Sequence, residues 1–414
     1  MTMSTQAPAA PSKYAFHYRG FRFFWLTTLF VSFAVQIMAV SVAWQIYDVT
    51  GNAFLLGVVG LCLFAPALLL ILFTGLAADR FSRRGIMRIC LVVEAICAGG
   101  FFFLANADAE QIWPVFAILF LLGTARAFWG PAAQSLAPNI VPPEALANAI
   151  TSNASAWQFA SIMGPAAGGL LYGIAPEVAF GVAGVLILAG VVMVSLIPRP
   201  AQVRDTQAKS LETLLGGFRY IFSNRVVLGA MSLDMFAVMA GGAVALMPIY
   251  AKDILQAGPE ELGLLRAAPG IGALVMALWL MRHPVRDHAG KLLFLFVGLF
   301  GAFTVVFGLS TNVWLSMAAL ALVGAADMVS VTIRETIMQL WTPEAVRGRV
   351  NAVNSVFIGA SNELGDFRAG TVAHLLGPVP AAIMGGIGAM VIAGAWAGLF
   401  PELRNQRSLD KKMV

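Results

Sequence analysis

Long apolar runs, interrupted by few charges, constrain this chain more than any other feature. From Phe23 to Tyr47 no Lys, Arg, Asp or Glu occurs, and similar runs recur along all 414 residues. A helix needs about 20 consecutive apolar residues to cross a bilayer. Within lipid, every backbone N–H and C=O must find a partner inside the protein, which selects helices over open sheets. Only 11% of the residues are charged and 59% are hydrophobic, whereas an ordinary soluble domain is roughly 25% charged. The chain is therefore expected to be an all-α integral membrane protein. Twelve spans are expected, at 21–47, 53–78, 85–105, 112–139, 144–173, 178–197, 226–251, 260–282, 290–309, 313–341, 343–376 and 378–400. The first run is too long for a signal-peptide core and lacks a clear cleavage site, so it reads as a retained helix.

The basic residues test this arrangement independently. With twelve spans, 21 of the 26 Lys and Arg residues fall on the side of the N-terminus, among them Arg19, Arg22, Arg80, Arg83, Arg84, Arg282, Arg286, Arg347 and Arg349. The opposite loops hold Lys252 alone, and Arg126, Arg266, Arg334 and Arg368 lie within spans. Positive loops stay in the cytoplasm, so both termini are expected there, in a cell (inner or plasma) membrane crossed many times. Trp44, Trp113 and Trp314 near one interface, and Trp25 and Trp341 near the other, suit an aromatic belt.

The sequence repeats itself. VPPEALANAITSN from Val141 is matched by WTPEAVRGRVNAVN from Trp341, and Gly164, Gly168 and Gly169 are matched by Gly365, Ala369 and Gly370. Two pseudo-symmetric six-helix halves are expected, at 21–197 and 226–400, with a cytoplasmic N-terminal segment at 1–20 and a cytoplasmic tail at 401–414. The linker at 198–225 places Leu211, Leu214, Leu215, Phe218, Ile221 and Phe222 at helical spacing. It is expected to form an amphipathic helix on the inner membrane surface.

Several kinds of chemistry find no support. Cys62, Cys90 and Cys97 lie in apolar runs, and the four histidines show no metal-ligand spacing. There is no phosphate-binding glycine loop and no nucleophile elbow. The pI near 9.3 reflects topology rather than nucleic-acid binding. No metal, no cofactor and no enzymatic activity are expected.

After the second span comes Gly75-Leu-Ala-Ala-Asp79-Arg80-Phe-Ser-Arg83-Arg84. A glycine permits close helix contact, an acid ends the helix, and a basic cluster follows. This segment resembles the loop signature of the major facilitator superfamily, and twelve spans in two halves extend the resemblance along the chain. The second half's counterpart, Arg282–Lys291, lacks the helix-ending acid. The resemblance implies that Gly75, Asp79, Arg83 and Arg84 form a cytoplasmic gate, with Asp79 meeting the eleventh span when that side is closed. Helix physics agrees, because the eleventh span is expected to begin with Thr342 as N-cap and Pro343 at its first position, and a helix N-terminus attracts an acid. Alternatively, the arginines only set topology. Gly164-Pro165-Ala-Ala-Gly168-Gly169 resembles the fifth-helix motif of proton antiporters, although packing alone would also explain it. The linker run from Lys209, Thr342–Val350 and Asn362–Asp366 resemble the branch that includes the enterobactin exporter.

Charges within a membrane are costly and usually functional. Besides the four arginines they are Glu94, Asp234, Asp327, Glu335, Glu363 and Asp366. The resemblance places the first, fourth, seventh and tenth spans around a central cavity, and so assigns Arg126, Asp234, Asp327 and Arg334 to cavity-lining helices. Gln36, Arg126, Trp157 and Arg334 are the candidates for substrate contact, and Trp129 and Gln158 could extend that wall. Asp327 is the first candidate for proton coupling, supported by Glu363 or Asp366, with Asp234 next. The plainer readings are that Glu94 neutralises Arg126, that Arg368 pairs with Asp366 or Glu363, that Arg266 is solvated near the outer surface, and that Asp327 is permanently paired. The expected function is proton-coupled export of a small amphiphilic molecule, a siderophore or drug, by alternating access. The partners are that molecule, protons and membrane lipid, with no nucleic acid, and the protein is expected to act as a monomer. Uptake or metal-ion export by the same fold, and a non-transporting sensor, are the alternatives.

Overall fold

The structure is a computed structural model and describes residues 12–106, 112–198 and 211–407; within these, the side chains of Ile71, Leu72, Leu76, Ala78, Asp79, residues 211–215 and Ala345 are not described. The described residues are almost entirely helical, and turn chemistry sets the helix ends. α1 (Arg19–Thr50) stops at Gly51, whose φ of 58° is the left-handed conformation that glycine tolerates best. Asn52 then caps α2 (Ala53–Leu69) by accepting from the Phe54 N–H. Leu70 separates α2 from α3 (Ile71–Arg80), one turn after Pro66, which has no N–H to donate to the preceding turn.

α4 (Arg83–Asn106) and α5 (Trp113–Leu136) follow, then α6 (Pro143–Ile174) and α7 (Pro176–Leu196), both opened by proline. The linker helix is α8 (Leu211–Ser223), and Asn224 caps α9 (Arg225–Gly241). Past Gly242 the seventh span continues through a turn of 3-10 helix, α10 (Met247–Ile249) and a π-helical turn at Tyr250–Ile254. The second half is completed by α11 (Pro259–Arg282), α12 (Ala289–Leu309), α13 (Val313–Trp341), α14 (Glu344–Leu376) and α15 (Pro378–Leu399), with a short α16 (Pro401–Arg404).

Nine stretches among the described residues are long and apolar enough to cross a membrane. The other three expected spans are α2 with α3, α6 and α14. The first is broken at Leu70, and the last two carry the polar residues of the seam between the halves.

The two halves repeat their packing. In the first, α6 lies against α1; in the second, α14 lies against α9. Across the seam α6 packs on α11 and α14 packs on α2. Glycines make both crossings. A Cβ on Gly169 would collide with the backbone of Pro259 and stand 3.0 Å from the Gly263 Cα, and one on Gly57 would stand 2.9 Å from the Phe367 Cα.

Both crossings lie toward the end opposite the basic loops. Two polar contacts reinforce them there. Lys252 Nζ lies 2.6 Å from Asp48 Oδ1, and the Tyr47 hydroxyl donates to Asp253. Toward the basic end the halves part. Gly75 and Gly348 each face open space, and Ile150, Trp157, Leu278 and Met281 are exposed on the facing stretches of α6 and α11.

Four local expectations change. The linker helix braces α14 rather than only resting on the membrane: Gly216 and Gly217 fit against Arg349, Phe218 meets Phe357 edge-on, and the Tyr220 hydroxyl donates to the Trp341 carbonyl at 2.6 Å. The eleventh span starts one residue later than expected. Pro343 is its N-cap, without a side-chain hydrogen bond, and the buried Thr342 hydroxyl has no partner. Trp113 and Trp314 are largely exposed, as a belt requires, but Trp44 is buried. The seventh span is interrupted at Gly242 rather than continuous.

Candidate functional site

Three spaces lie along or beside the seam. The main cavity, about 570 Å³, is walled by Gln36 of α1, Trp157 of α6, Val238 of α9, Phe300 and Thr304 of α12, Leu320 and Asp327 of α13, and Asn362, Glu363 and Asp366 of α14. The break at Gly242 adds Gly241 to Val244 and Met247 to its lining. Both halves contribute, and the lining mixes carboxylates with aromatic and aliphatic surface. Trp157 is 56% exposed, although it lies midway along a helix.

A smaller chamber of about 180 Å³ lies on the far side of Glu363 and Asp366, toward the end where the halves meet. Met38 and Val42 of α1, Leu56 and Gly60 of α2, Leu119 and Arg126 of α5, Ala245, and Arg266 of α11 line it. Glu363 and Asp366 line this chamber as well as the main cavity. α2 approaches Glu363 so closely that a Cβ on Gly60 would stand 2.5 Å from its carboxylate. Asp366 also accepts from the Ala245 N–H at 3.3 Å. The Nε atoms of Arg126 and Arg266 are buried without hydrogen-bond partners.

The third space, about 120 Å³, lies within the second half between α9, α13 and α14, and is lined by Asp234, Asp327, Arg334, Glu335 and Asn354. Arg334 holds two acids here. It forms a tight ion pair with Asp234 and stands 3.8 Å from Asp327. The side chains of Arg334 and Asp234 are 9% and 12% exposed, whereas that of Asp327 is 46% exposed and reaches the main cavity. Burying an isolated charge costs several kcal/mol, so the Asp234–Arg334 pair holds α9 to α13. Asp327 is the more loosely held partner.

Of the four expected substrate-contact residues, Gln36 and Trp157 line the main cavity. Arg126 instead faces the small chamber, and Arg334 lies in the third space behind Asp327. Trp129 and Gln158 are absent from the lining. Arg266 is half-buried rather than open to the outer solution: it lines the small chamber at the seam, with its Nε buried. Glu94 is 1% exposed and neither carboxylate oxygen has a hydrogen bond, but its charge and that of Arg126 attract each other across the neighbouring spans, as expected, without a contact ion pair. Arg368 interacts electrostatically with Asp366, one of its two expected partners, without a contact ion pair; its Nε and Nη2 lack hydrogen bonds, and Nη2 rests 3.2 Å from the position of a Cβ on Gly385.

Within the expected gate, Arg83 donates to the Ser135 carbonyl at 2.9 Å and Arg84 donates to that of Ser195. Both bonds tie the start of α4 to its own half. The Asp79 side chain, which was expected to meet the start of the eleventh span around Thr342 to Ala345, lies outside the described residues.

The fifth-span motif takes part in the seam. A Cβ on Gly164 would stand 2.6 Å from that of Gln36, one on Gly168 would stand 2.9 Å from the Ile37 Cα, and Gly169 crosses α11. Sequence reasoning missed Phe300, Thr304 and Met247 in the cavity and the Asp48–Lys252 and Tyr47–Asp253 contacts. The adjacent Gly241 and Gly242, within an apolar run, were the signal for the break that admits Met247.

The family described as transmembrane secretion effector, within the major facilitator superfamily, matches residues 10–413. The chain is 28% identical to the enterobactin exporter EntS of Escherichia coli O127:H6 over 396 residues, covering 92% of this chain and 89% of that protein. It is also 28% identical to EntS of Shigella boydii serotype 4, covering 95% of each. Among solved structures, a bacterial homologue of the lysosomal transporter Spinster, inward-facing and unoccupied, superposes with a TM-score of 0.74 at 14% identity over 93% of this chain and 97% of that one. An inward-facing bacterial homologue of the iron transporter ferroportin gives 0.67 at 16% identity over 92% and 98%. These two likenesses concern the fold.

Proposed function

The chain belongs to the transmembrane secretion effector family of major facilitator transporters, and on that premise we propose that it exports a small amphiphilic molecule in exchange for protons, by alternating access. The observation that carries this reading is the position of Glu363 and Asp366. They line both the wide cavity, where Trp157 is exposed, and the small chamber, whose Met38, Val42, Leu56 and Leu119 are buried. Rocking the halves about this seam would pass the same carboxylates from one solution to the other, as a proton carrier requires. Asp327 borders the wide cavity and the space behind it but not the small chamber, and Arg334 lies alongside. The coupling role first assigned to Asp327 therefore passes to Glu363 and Asp366.

The basic end is taken as cytoplasmic because positive loops stay inside. Both termini then lie in the cytoplasm, and the present conformation is inward-open. The cytoplasmic gate of Gly75, Asp79, Arg83 and Arg84 would close only after the halves rock. The cargo is amphiphilic because Trp157, Phe300, Met247 and Leu320 share the cavity with three carboxylates. The name of the 28%-identical relatives makes a siderophore the first cargo to try. Among the described residues no group of three His, Cys, Asp or Glu could hold a metal ion, which does not favour metal-ion export.

Inverted membrane vesicles test the proposal. With an imposed proton gradient, Glu363→Gln or Asp366→Asn should lose uphill accumulation of cargo while keeping downhill exchange, and Asp327→Asn should keep both. Loss of uphill transport in Asp327→Asn alone would return the coupling role to that residue. Accumulation indifferent to the gradient in the unmodified protein would end the proton-coupled reading.

A further inference from the structure

A space of about 620 Å³ lies away from the seam, among α3, α4 and α5 near the basic end. It exists because α3, set off from α2 by the break at Leu70, leans mainly on α5 and barely touches α4. Phe81, Ile86, Ile89, Val93, Leu121 and Phe128 give it an apolar wall. The two hydroxyls in the lining are already bonded: Ser82 Oγ accepts from the Gly85 N–H at 3.3 Å, and Thr124 Oγ1 donates to the Phe120 carbonyl at 2.9 Å. Phe81, Ile89 and Leu121 are exposed at its rim, so the cleft faces lipid.

Its length and its charge both bear on what fills it. From Ser82 to Val93, at 1.5 Å per residue, the α4 wall runs about 16 Å. Half of a hydrocarbon core of about 30 Å is about 15 Å. The cleft thus reaches from the headgroup level to the bilayer centre, one leaflet deep. Arg80 directly precedes Phe81 at the basic end of the cleft, and Arg88 directly precedes Ile89 about a turn and a half further along α4, from where its long side chain can extend back toward the headgroup level. Both are exposed, and neither has a hydrogen-bond or ion-pair partner among the described residues.

We propose that this cleft binds one acyl chain of an anionic phospholipid, whose headgroup phosphate rests on Arg80 and Arg88. A zwitterionic lipid offers the same chain without the net charge, and a cationic amphiphile would be repelled at the mouth. Such a lipid fills the gap that α3 leaves beside α4. It thereby supports the lower part of the second span in the position it holds while the basic end is open.

The test uses the full-length protein in nanodiscs containing nitroxide chain-labelled phosphatidylglycerol or phosphatidylcholine, with the motionally restricted fraction read by electron paramagnetic resonance. One arginine near an anionic surface is worth about a five-fold preference. The two together should favour phosphatidylglycerol about ten-fold at low ionic strength, allowing for residual screening. The preference should shrink toward parity in high salt and in the Arg80→Gln/Arg88→Gln double variant. Ile89→Trp, which fills the cleft from an already exposed position, should lower the restricted fraction of both lipids. Val275→Trp, on the exposed surface of α11, should leave it unchanged. Equal retention of the two lipids at every salt concentration would overturn the proposal, as would an unchanged restricted fraction in Ile89→Trp. Displacement of phosphatidylglycerol by dodecyltrimethylammonium at equal concentration would also overturn it and point to an entry path for amphiphilic cargo.

Discussion

Gly169→Val should invert the resting conformation. At this position α6 crosses α11 with no side chain between them. A Cβ there would strike the Pro259 carbonyl and stand 3.0 Å from both the Cα and the N of Gly263. These obstacles are backbone atoms held in a helix, so they cannot turn aside as a side chain would. Overpacking a close contact costs about 1–3 kcal/mol. The penalty applies only while the halves meet at this end. The equilibrium between the two conformations should therefore shift by about five- to 150-fold toward the one in which this end is apart. Single-cysteine accessibility reads the shift, in a background where Cys62, Cys90 and Cys97 are replaced. Before the substitution, Ser155→Cys on α6 should react with an impermeant thiol reagent from the basic side, while Val42→Cys in the sealed chamber should be protected. In Gly169→Val the two reactivities should exchange. Gly394→Val is the control, because a Cβ at Gly394 meets nothing within 4 Å, and it should leave both unchanged. An unaltered pattern in folded Gly169→Val protein would refute the argument that this crossing seals the end, and would reopen a direct transport role for the motif from Gly164 to Gly169.

Arg334→Gln should be strongly destabilising. It leaves the Asp234 carboxylate, 12% exposed, without its ion-pair partner, and breaking a buried pair costs about 3–5 kcal/mol. The thermal midpoint in detergent should fall, and an added Asp234→Asn should restore part of the loss; equal midpoints for the single and double variants would mean that the pair holds little. Lys252→Ala removes an exposed pair with Asp48 and should change stability by less than about 1 kcal/mol. It should also raise Val42→Cys reactivity by no more than a few-fold, and complete opening by this variant alone would make the ion pair, not the glycine crossings, the principal seal.

The architecture was legible because each span must satisfy lipid on its own, residue by residue. The repeat from Val141 and Trp341 was legible for a related reason: α6 and α14 meet the same packing demands in the two halves, and the sequence retains both copies. Helix ends could have been placed better, since Asn52, Asn224 and Asn312 each accept hydrogen bonds from the first turn that follows. The cavity was only partly legible. Depth along a span follows from counting residues, but the direction a side chain faces depends on how the helices cross. Arg126 and Arg334 lie on the expected helices, yet one faces the closed chamber and the other lies behind Asp327. Arg266 was misread for a similar reason. Its distance from the helix start suggested water, but that end is where the halves meet. The break beyond Gly241 leaves hydropathy unchanged, so apolar periodicity could not reveal that Met247 enters the cavity.

The glycine crossings divide the chain by its tolerance of change. At Gly57, Gly169 and Gly263 any side chain meets a neighbouring backbone, so these positions admit almost no variation while the motion is kept. Val238, Phe300, Thr304, Leu320 and Val323 touch the main cavity and take no part in either crossing. On the proposed rocking mechanism, substitutions among them would reshape what the protein accepts without disturbing how it moves, which would make cargo and motion separately evolvable. Descendants of such a chain would then acquire new cargoes by small changes in the wall, each inheriting the same seam.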